Sequence, residues 1–572
     1  MSGTNFPAAA RDRRLPNLFD LIAIVALFGL FAAFGGAARN TIAPLAALET
    51  STIHLDPSYL PYYALRTTLR MFAALLVSLL FTFTYAPFAA KSRRAGLVMI
   101  PALDILQSVP ILGFLSFTVT FFMGLFPGNV IGAELASIFV IFTSQAWNMA
   151  FSFHQSLTTV PRDLDEAATS FRLSAWQRFW RLEVPFAMPG LVWNTMMSMS
   201  GGWFFVTASE AVSVGNTTWK LPGIGSYVAV ALARRDLLAV IYAILAMLVV
   251  ILAYDQLLFR PLVAWSAKFR FETTARVEED DPWMLALLRR TTFLAWAIDY
   301  VGSLFQWLSG RRMAIKIQTP RFALPERVAD IIFAGILAAG VSWAIYRIFT
   351  FVSISLTWHD LVISLGLGAI TLLRVIVLIA LASALWVPVG VWLGLRPKWA
   401  KRVQPVVQFL AAFPANLFFP VFVVVIVRFH LIPDIWLTPL MILGTQWYIL
   451  FNVIAGASAF PGDLLEVSQN FRVKGWLWWR RVILPGIFPY FITGALTASG
   501  GAWNAAIVAE VAQWGDTTLT AHGLGAYIAQ ATVAGDTARI VLGVAVMSLY
   551  VVVINRLLWR RLAAYASRRL VM

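Results

Sequence analysis

The chain has 572 residues, 60% of them hydrophobic and 13% charged, with a mean hydropathy of +0.76. Soluble domains are nearer half apolar and a quarter charged, so this composition excludes an ordinary soluble fold and indicates an integral membrane protein. The net charge of +16 lies in short clusters between apolar runs, which excludes the basic, aromatic-laced stripe of a nucleic-acid binder, and the absence of cysteine excludes disulfides and thiolate metal sites.

In chain order, apolar stretches long enough to cross the hydrocarbon as helices fall at about 18–38, 63–88, 97–125, 130–154, 187–210 and 237–262. Six more fall at about 327–351, 360–395, 404–429, 434–457, 486–511 and 537–559. A barrel would show shorter, alternating stretches. The basic clusters (Arg11, Arg13, Arg14; Lys91, Arg93, Arg94; Arg311, Arg312, Lys316; Arg396, Lys398, Lys401, Arg402; Arg560, Arg561, Arg568, Arg569) fall on one side of these spans. That is the positive-inside pattern, with both termini in the cytoplasm; Lys220, Arg234 and Arg235 depart from it. No convincing cleavage site follows the first apolar run, which reads as an uncleaved span.

The sequence repeats itself 300 residues on. Pro161, Asp163, Leu164, Glu166, Phe171, Arg172, Trp176, Arg181, Pro185 and Pro189 recur as Pro461, Asp463, Leu464, Glu466, Phe471, Arg472, Trp476, Arg481, Pro485 and Pro489. Further on, Trp203, Glu210, Thr217, Gly223, Gly225, Tyr227 and Asp236 recur as Trp503, Glu510, Thr517, Gly523, Gly525, Tyr527 and Asp536. The reading is an all-α membrane protein of two tandem six-helix bundles, about twelve spans, related by a pseudo-two-fold axis along the membrane normal. The halves are 1–262 and 327–572. Between them, 263–326 is a cytoplasmic linker, in which 283–308 is an amphipathic surface helix, because Arg289, Arg290 and Asp299 would be costly inside the bilayer.

Two loops, 161–185 and 461–485, lie between the fourth and fifth span of each half. Each opens Pro-x-Asp-Leu-x-Glu, so Asp163 and Asp463 suit a helix N-cap with Glu166 and Glu466 as capping-box acids. A proline then starts the next span, where its missing N–H costs little. These loops resemble the EAA loop of bacterial ABC importer permeases, which runs Glu-Ala-Ala, three residues, Gly, and about nine residues to a Leu-Pro end. The first copy reads Glu166-Ala167-Ala168 to Val184-Pro185, and the second Glu466-Val467-Ser468 to Leu484-Pro485. The motif glycine is Arg172 and Arg472, and the second copy lacks both alanines. The Trp-x6-Glu and Gly-x-Gly-x-Tyr elements resemble the nitrate/taurine/sulfonate-type branch in a fused, duplicated form.

The resemblance implies a type I importer permease fold in a bacterial inner membrane. It implies that Asp163, Glu166, Ala167, Ala168, Phe171, Arg172, Asp463, Glu466, Phe471 and Arg472 seat the loops on two copies of an ATPase subunit. It also implies an external solute-binding protein and a small anion moved inward by alternating access. ATP and magnesium would belong to the ATPase, since no Gly-x4-Gly-Lys-Ser/Thr loop occurs here. The Gly223 and Gly523 pairs read as turns in outer-face loops.

Polar residues inside spans are pathway candidates: Gln107, Asn148, Asn504, and Glu210 and Glu510 with Trp203 and Trp503 two turns earlier on the same face. A buried, paired glutamate is an equal alternative, and Arg70 and Arg374 could pair one or meet an anion. His54, His154, His359, His430 and His522 lack metal spacing, and no catalytic constellation or cofactor site is evident. A secondary transporter of parallel 6+6 repeats is the rival reading; a membrane-embedded enzyme would need His or Asp clusters at one membrane face.

Overall fold

The computed structural model describes residues 52–269 except 215 and 216, 283–310, and 326–569 except 459, 461 and 516, with isolated positions before 52. The span expected at 18–38 and the linker stretches 270–282 and 311–325 lie outside the described residues. In the first repeat, α1 (Leu60–Lys91) is followed by α2 (Arg93–Ser108), α3 (Leu115–Leu125), α4 (Ile131–Thr158), α5 (Arg162–Ser170), α6 (Val184–Ser209), α7 (Ile224–Ala233) and α8 (Leu237–Tyr254). The linker contributes α9 (Thr292–Gly310). The second repeat runs α10 (Glu326–Ser355), α11 (Trp358–Gly394), α12 (Pro397–Ala412), α13 (Phe419–Arg428), α14 (Trp447–Ser458), α15 (Gly462–Asn470), α16 (Leu484–Ala509), α17 (Leu524–Ala534) and α18 (Thr537–Ile554). Between α6 and α7, and between α16 and α17, sits a two-stranded antiparallel hairpin: β1 (Ala211–Val214) with β2 (Thr217–Lys220), and β3 (Val511–Trp514) with β4 (Thr517–Thr520).

Among the described residues seven helices are long and apolar enough to cross a membrane, or nine if each bent pair counts as one span. Among the described residues, three of the stretches expected as spans are not continuous helices. The stretch 97–125 is not one helix: Val109 and Pro110 are extended and separate α2 from a 3-10 turn, Ile111–Phe114, that leads into α3. Its counterpart 404–429 bends by 82° where Phe413 and Pro414 are extended. A residue before proline is disfavoured from helical geometry, and the proline cannot donate to the preceding turn, so each apolar run breaks there. The stretch 434–457 also breaks, with a 44° bend between 433–443 and 447–458. The expected linker helix 283–308 is two helices, Trp283–Arg290 and α9, interrupted at Thr291.

Five-residue π segments recur at matched places, Phe179–Glu183 with Trp479–Ile483, and Asp255–Phe259 with Asn555–Trp559. Such insertions re-aim a helix by one residue.

Two compact units are present. One contains 156–193, 253–269 and 283–310; the other contains 52–155, 194–252 and 326–569. In the second unit one hydrophobic core runs through both repeats, from Ile111, Leu112, Ala136 and Val140 to Val375, Phe419, Ile449, Trp503 and Leu542. The small residues Gly390 and Gly394 let α11 approach α14 so closely that an added Cβ would meet Val453 and Ala457. Close approach of this kind is how helices associate where water gives no hydrophobic drive.

Candidate functional site

The second unit holds two buried charge clusters built on one plan. In the first, Glu210 ends α6 with no exposed surface. Its Oε1 accepts from Arg70 Nη1 at 2.8 Å and from Thr67 Oγ1 at 2.7 Å. Its Oε2 accepts from the Gly225 N–H at 2.7 Å. The carboxylate thus lies at the N-terminus of α7, where free N–H groups favour a negative charge. Gly223 is required there, because a Cβ would overlap the carboxylate. Arg70 also donates to Glu134 (2.6 and 2.8 Å) and to the Pro222 carbonyl (2.9 Å), and Arg66 pairs with Glu134 as well. Two arginines balance two glutamates, all at most 2% exposed.

The second cluster repeats the scaffold with different residues. Glu510 accepts from Thr371 (2.9 Å), Arg374 (3.1 Å) and the Ala526 N–H (3.0 Å). Asp434, in the place of Glu134, accepts from Arg374 (2.9 Å) and from the His522 N–H (2.6 Å), and meets His522 Nδ1 at 2.9 Å. Ile370 stands where the first repeat has Arg66, and His522 where it has Pro222. A fully buried quartet in one half is a half-exposed arrangement in the other, since the Asp434 side chain is 37% exposed.

The Gly223–Gly225 and Gly523–Gly525 pairs are therefore not turns of an exposed loop. They open buried helices that rest on the Glu210 and Glu510 carboxylates and on the carbonyls of Thr207 and Ala506. Trp203 and Trp503 are 1% exposed in the interior, and Trp503 stacks on Tyr550. Asn148 donates to Ser198 within the first repeat, and Gln107 is exposed on α2.

The broken helices make two of the polar contacts between repeats. The Ile111 N–H, at the elbow before α3, donates to Asn504 Oδ1 of α16 at 2.6 Å. Reciprocally, Asn416, at the elbow before α13, donates to Thr207 Oγ1 of α6 at 3.0 Å. Each elbow thus rests on the fifth-span helix of the other repeat, and Gly113 allows Val544 and Ile507 to close against the first.

The two loops singled out in the sequence fold alike. α5 and α15 each run nine residues. Phe171 and Phe471 follow them, each 78% exposed. Glu166 and Glu466 are exposed, while Ala168 and Ser468 are buried at 5%. Asp163 is not the N-cap: Pro161 occupies that position without a side-chain bond, and Asp163 sits in the first turn, where a negative charge still favours the helix. The Asp463 side chain lies outside the described residues. Arg172 and Arg472, at the motif's glycine position, have φ of 51° and 50°. This left-handed backbone is one glycine adopts freely and other residues pay about 1–2 kcal/mol to hold. Arg172→Gly and Arg472→Gly should each raise the stability of the purified chain, by at most about 1 kcal/mol once glycine's extra unfolded entropy is subtracted; thermal unfolding in detergent reads the sign.

A model of the family described as binding-protein-dependent transport system inner membrane component matches the chain twice, at 78–259 and 386–571. The chain belongs to this family. The two matches enclose both exposed loops and the acidic residues of both charge clusters, Glu134, Glu210, Asp434 and Glu510, while the arginines and threonines that pair with them precede each match; the internal repeat is a duplication of the family's domain within one membrane polypeptide. The chain is 28% identical over 138 residues to a bicarbonate transport system permease protein, CmpB, of Synechocystis, covering 24% of this chain and 47% of that one. It is 29% identical over 153 residues to the nitrate import permease protein NrtB of Synechococcus elongatus, covering 26% and 53%. It is 25% identical over 224 residues to the glycine betaine/proline betaine transport system permease protein ProW of Escherichia coli, covering 37% and 60%. The chain thus spans about half the length of the curated relatives it matches. It is a multi-pass membrane protein of a transport family. Among the described residues no three His, Cys, Asp or Glu side chains come together to hold a metal.

Proposed function

We propose that this chain is both membrane-spanning halves of an ATP-driven importer in one polypeptide, with 1–262 and 327–572 as the halves and 263–326 as a cytoplasmic linker. The observation that carries the reading is the pair of matched loops, each presenting a 78% exposed phenylalanine after a nine-residue helix. A large apolar side chain left uncovered twice, at the same place in two repeats beside charged residues, serves a partner better than it serves the fold. The partner is an ATPase subunit on each loop, with Asp163, Glu166, Ala167, Ala168, Phe171 and Arg172, and Asp463, Glu466, Phe471 and Arg472, forming the contacts. ATP and magnesium are bound by that partner.

The membrane is the bacterial inner membrane, with both termini and both loops on the cytoplasmic side, as the basic clusters favour. Substrate passes between the repeats when the elbows part, so Asn504, with Asn416 and Thr207, is the polar lining nearest the closure. Glu210 and Glu510, with Trp203 and Trp503 two turns earlier, brace the outer ends of α6 and α16. Asn148 holds α4 to α6, and Gln107 faces outward before the elbow. The relatives named for bicarbonate and nitrate favour a small anion, delivered by an external solute-binding protein.

The test is ATP-dependent anion uptake by vesicles containing the chain and its ATPase. Glu166→Arg combined with Glu466→Arg should abolish ATPase co-purification and cut uptake at least tenfold, with assembly of the chain unchanged. Retained binding and uptake in the double variant would refute the loop assignment.

A further inference from the structure

In the first unit the linker helix α9 meets the first loop with the carbonyls of its last described residues, Leu308 and Gly310. Side chains of the loop supply the donors. Trp176 Nε1 donates to the Leu308 carbonyl at 3.0 Å, and Gln177 Nε2 donates to the Gly310 carbonyl at 2.8 Å. The Arg181 guanidinium lies against Gly310, where a Cβ would meet Nη2 at 3.0 Å. Gln177 is 8% exposed and also closes the local helix start, its Oε1 accepting from the Ser174 N–H at 3.0 Å. One side chain therefore ties the linker to the loop and shapes the loop. Arg178 adds ion pairs to Asp165 (2.7 Å) and Glu183 (3.2 Å).

The second loop cannot do this. Leu477 replaces Gln177, Lys474 replaces Ser174 and provides no side-chain cap, and Leu465 and Trp478 replace Asp165 and Arg178. Trp476, which matches Trp176, has no such partner among the described residues and is 72% exposed. Beside it, Trp478, Trp479, Trp392 and Arg396 line a cavity of about 560 Å³.

We propose that α9 is part of the first docking platform, held by Trp176 and Gln177, so that the two loops offer their ATPase partners unlike seats: one braced by the linker, the other without that brace. This rests on the reading of the loops as ATPase seats. Trp176 and Gln177 act as positioning residues, through α9.

The test has two arms, both on the full chain. The chain has no cysteine, and Ser309 is 5% exposed beside the contact, so Ser309→Cys gives a single buried thiol that reports release of α9. Gln177→Leu, which copies the second loop, should speed maleimide labelling of that thiol about tenfold, and Leu477→Gln should not change it. In the second arm, Glu466→Arg confines ATPase binding to the first loop. Adding Gln177→Leu there should lower ATPase retention several-fold, and Gln177→Glu, which keeps the length and an acceptor but loses the donor, should do the same. Equal labelling rates would overturn the brace, and unchanged retention despite faster labelling would overturn the platform. Labelling reads the brace whether or not an ATPase binds, so failure of the loop assignment is seen separately, as binding that survives Glu166→Arg with Glu466→Arg.

Discussion

Arg70→Met should leave little folded protein. Arg70 is 2% exposed and donates to Glu134, to Glu210 and to a carbonyl, and Arg66 pairs with Glu134. Removing it strands Glu210 in the interior with only a hydroxyl and one N–H. Breaking a buried pair from one side costs about 3–5 kcal/mol, because the orphaned charge keeps its desolvation penalty. That is comparable with the net stability of many domains. Arg374→Met should be milder, since Asp434 is partly exposed and keeps His522. Adding Glu210→Gln to Arg70→Met should restore part of the loss, because the stranded group is then uncharged. Monodisperse yield and thermal unfolding in detergent measure all three. An Arg70→Met variant no weaker than Arg374→Met would contradict the closed quartet.

Bridging the elbow to the opposite helix should stop transport. With Ile111→Cys and Asn504→Cys, the native chain having no thiols, a short thiol crosslinker joins α16 to the first elbow at the place where the N–H to Oδ1 distance is 2.6 Å. Alternating access moves one bundle against the other around the pathway, so a covalent tie across the contact between repeats holds the closure shut. Uptake in vesicles should fall at least tenfold on crosslinking and return when a cleavable crosslinker is cut. Asn416→Cys with Thr207→Cys, the reciprocal contact, should behave alike. Full uptake with the bridge shown complete by mass spectrometry would remove the elbows from the pathway.

The repeat and the exposed loops were legible in the sequence because their signals are side-chain identities kept in register. Much of the charge clusters was not. Arg374 falls four residues outside the 300-residue register that carries Glu510, and Glu134 returns as Asp434, so matching position by position hides both partners. His522 and Pro222 share a place but no chemistry. The elbows left one clue, Pro110 and Pro414 inside apolar runs, but a hydropathy window averages a proline away. The brace between α9 and the first loop uses backbone carbonyls of the linker as acceptors, and carbonyls belong to every residue. Gln177 against Leu477 is its one trace in the letters.

The arginines at φ near 50° also carry a history. Each repeat holds the same uncomfortable residue at the same left-handed position, and an awkward letter is more simply copied than arrived at twice. A residue inherited by both copies is older than the duplication that made them. The glutamine that grips the linker stands in one copy only, so that contact belongs to the joined chain and not to the repeated unit.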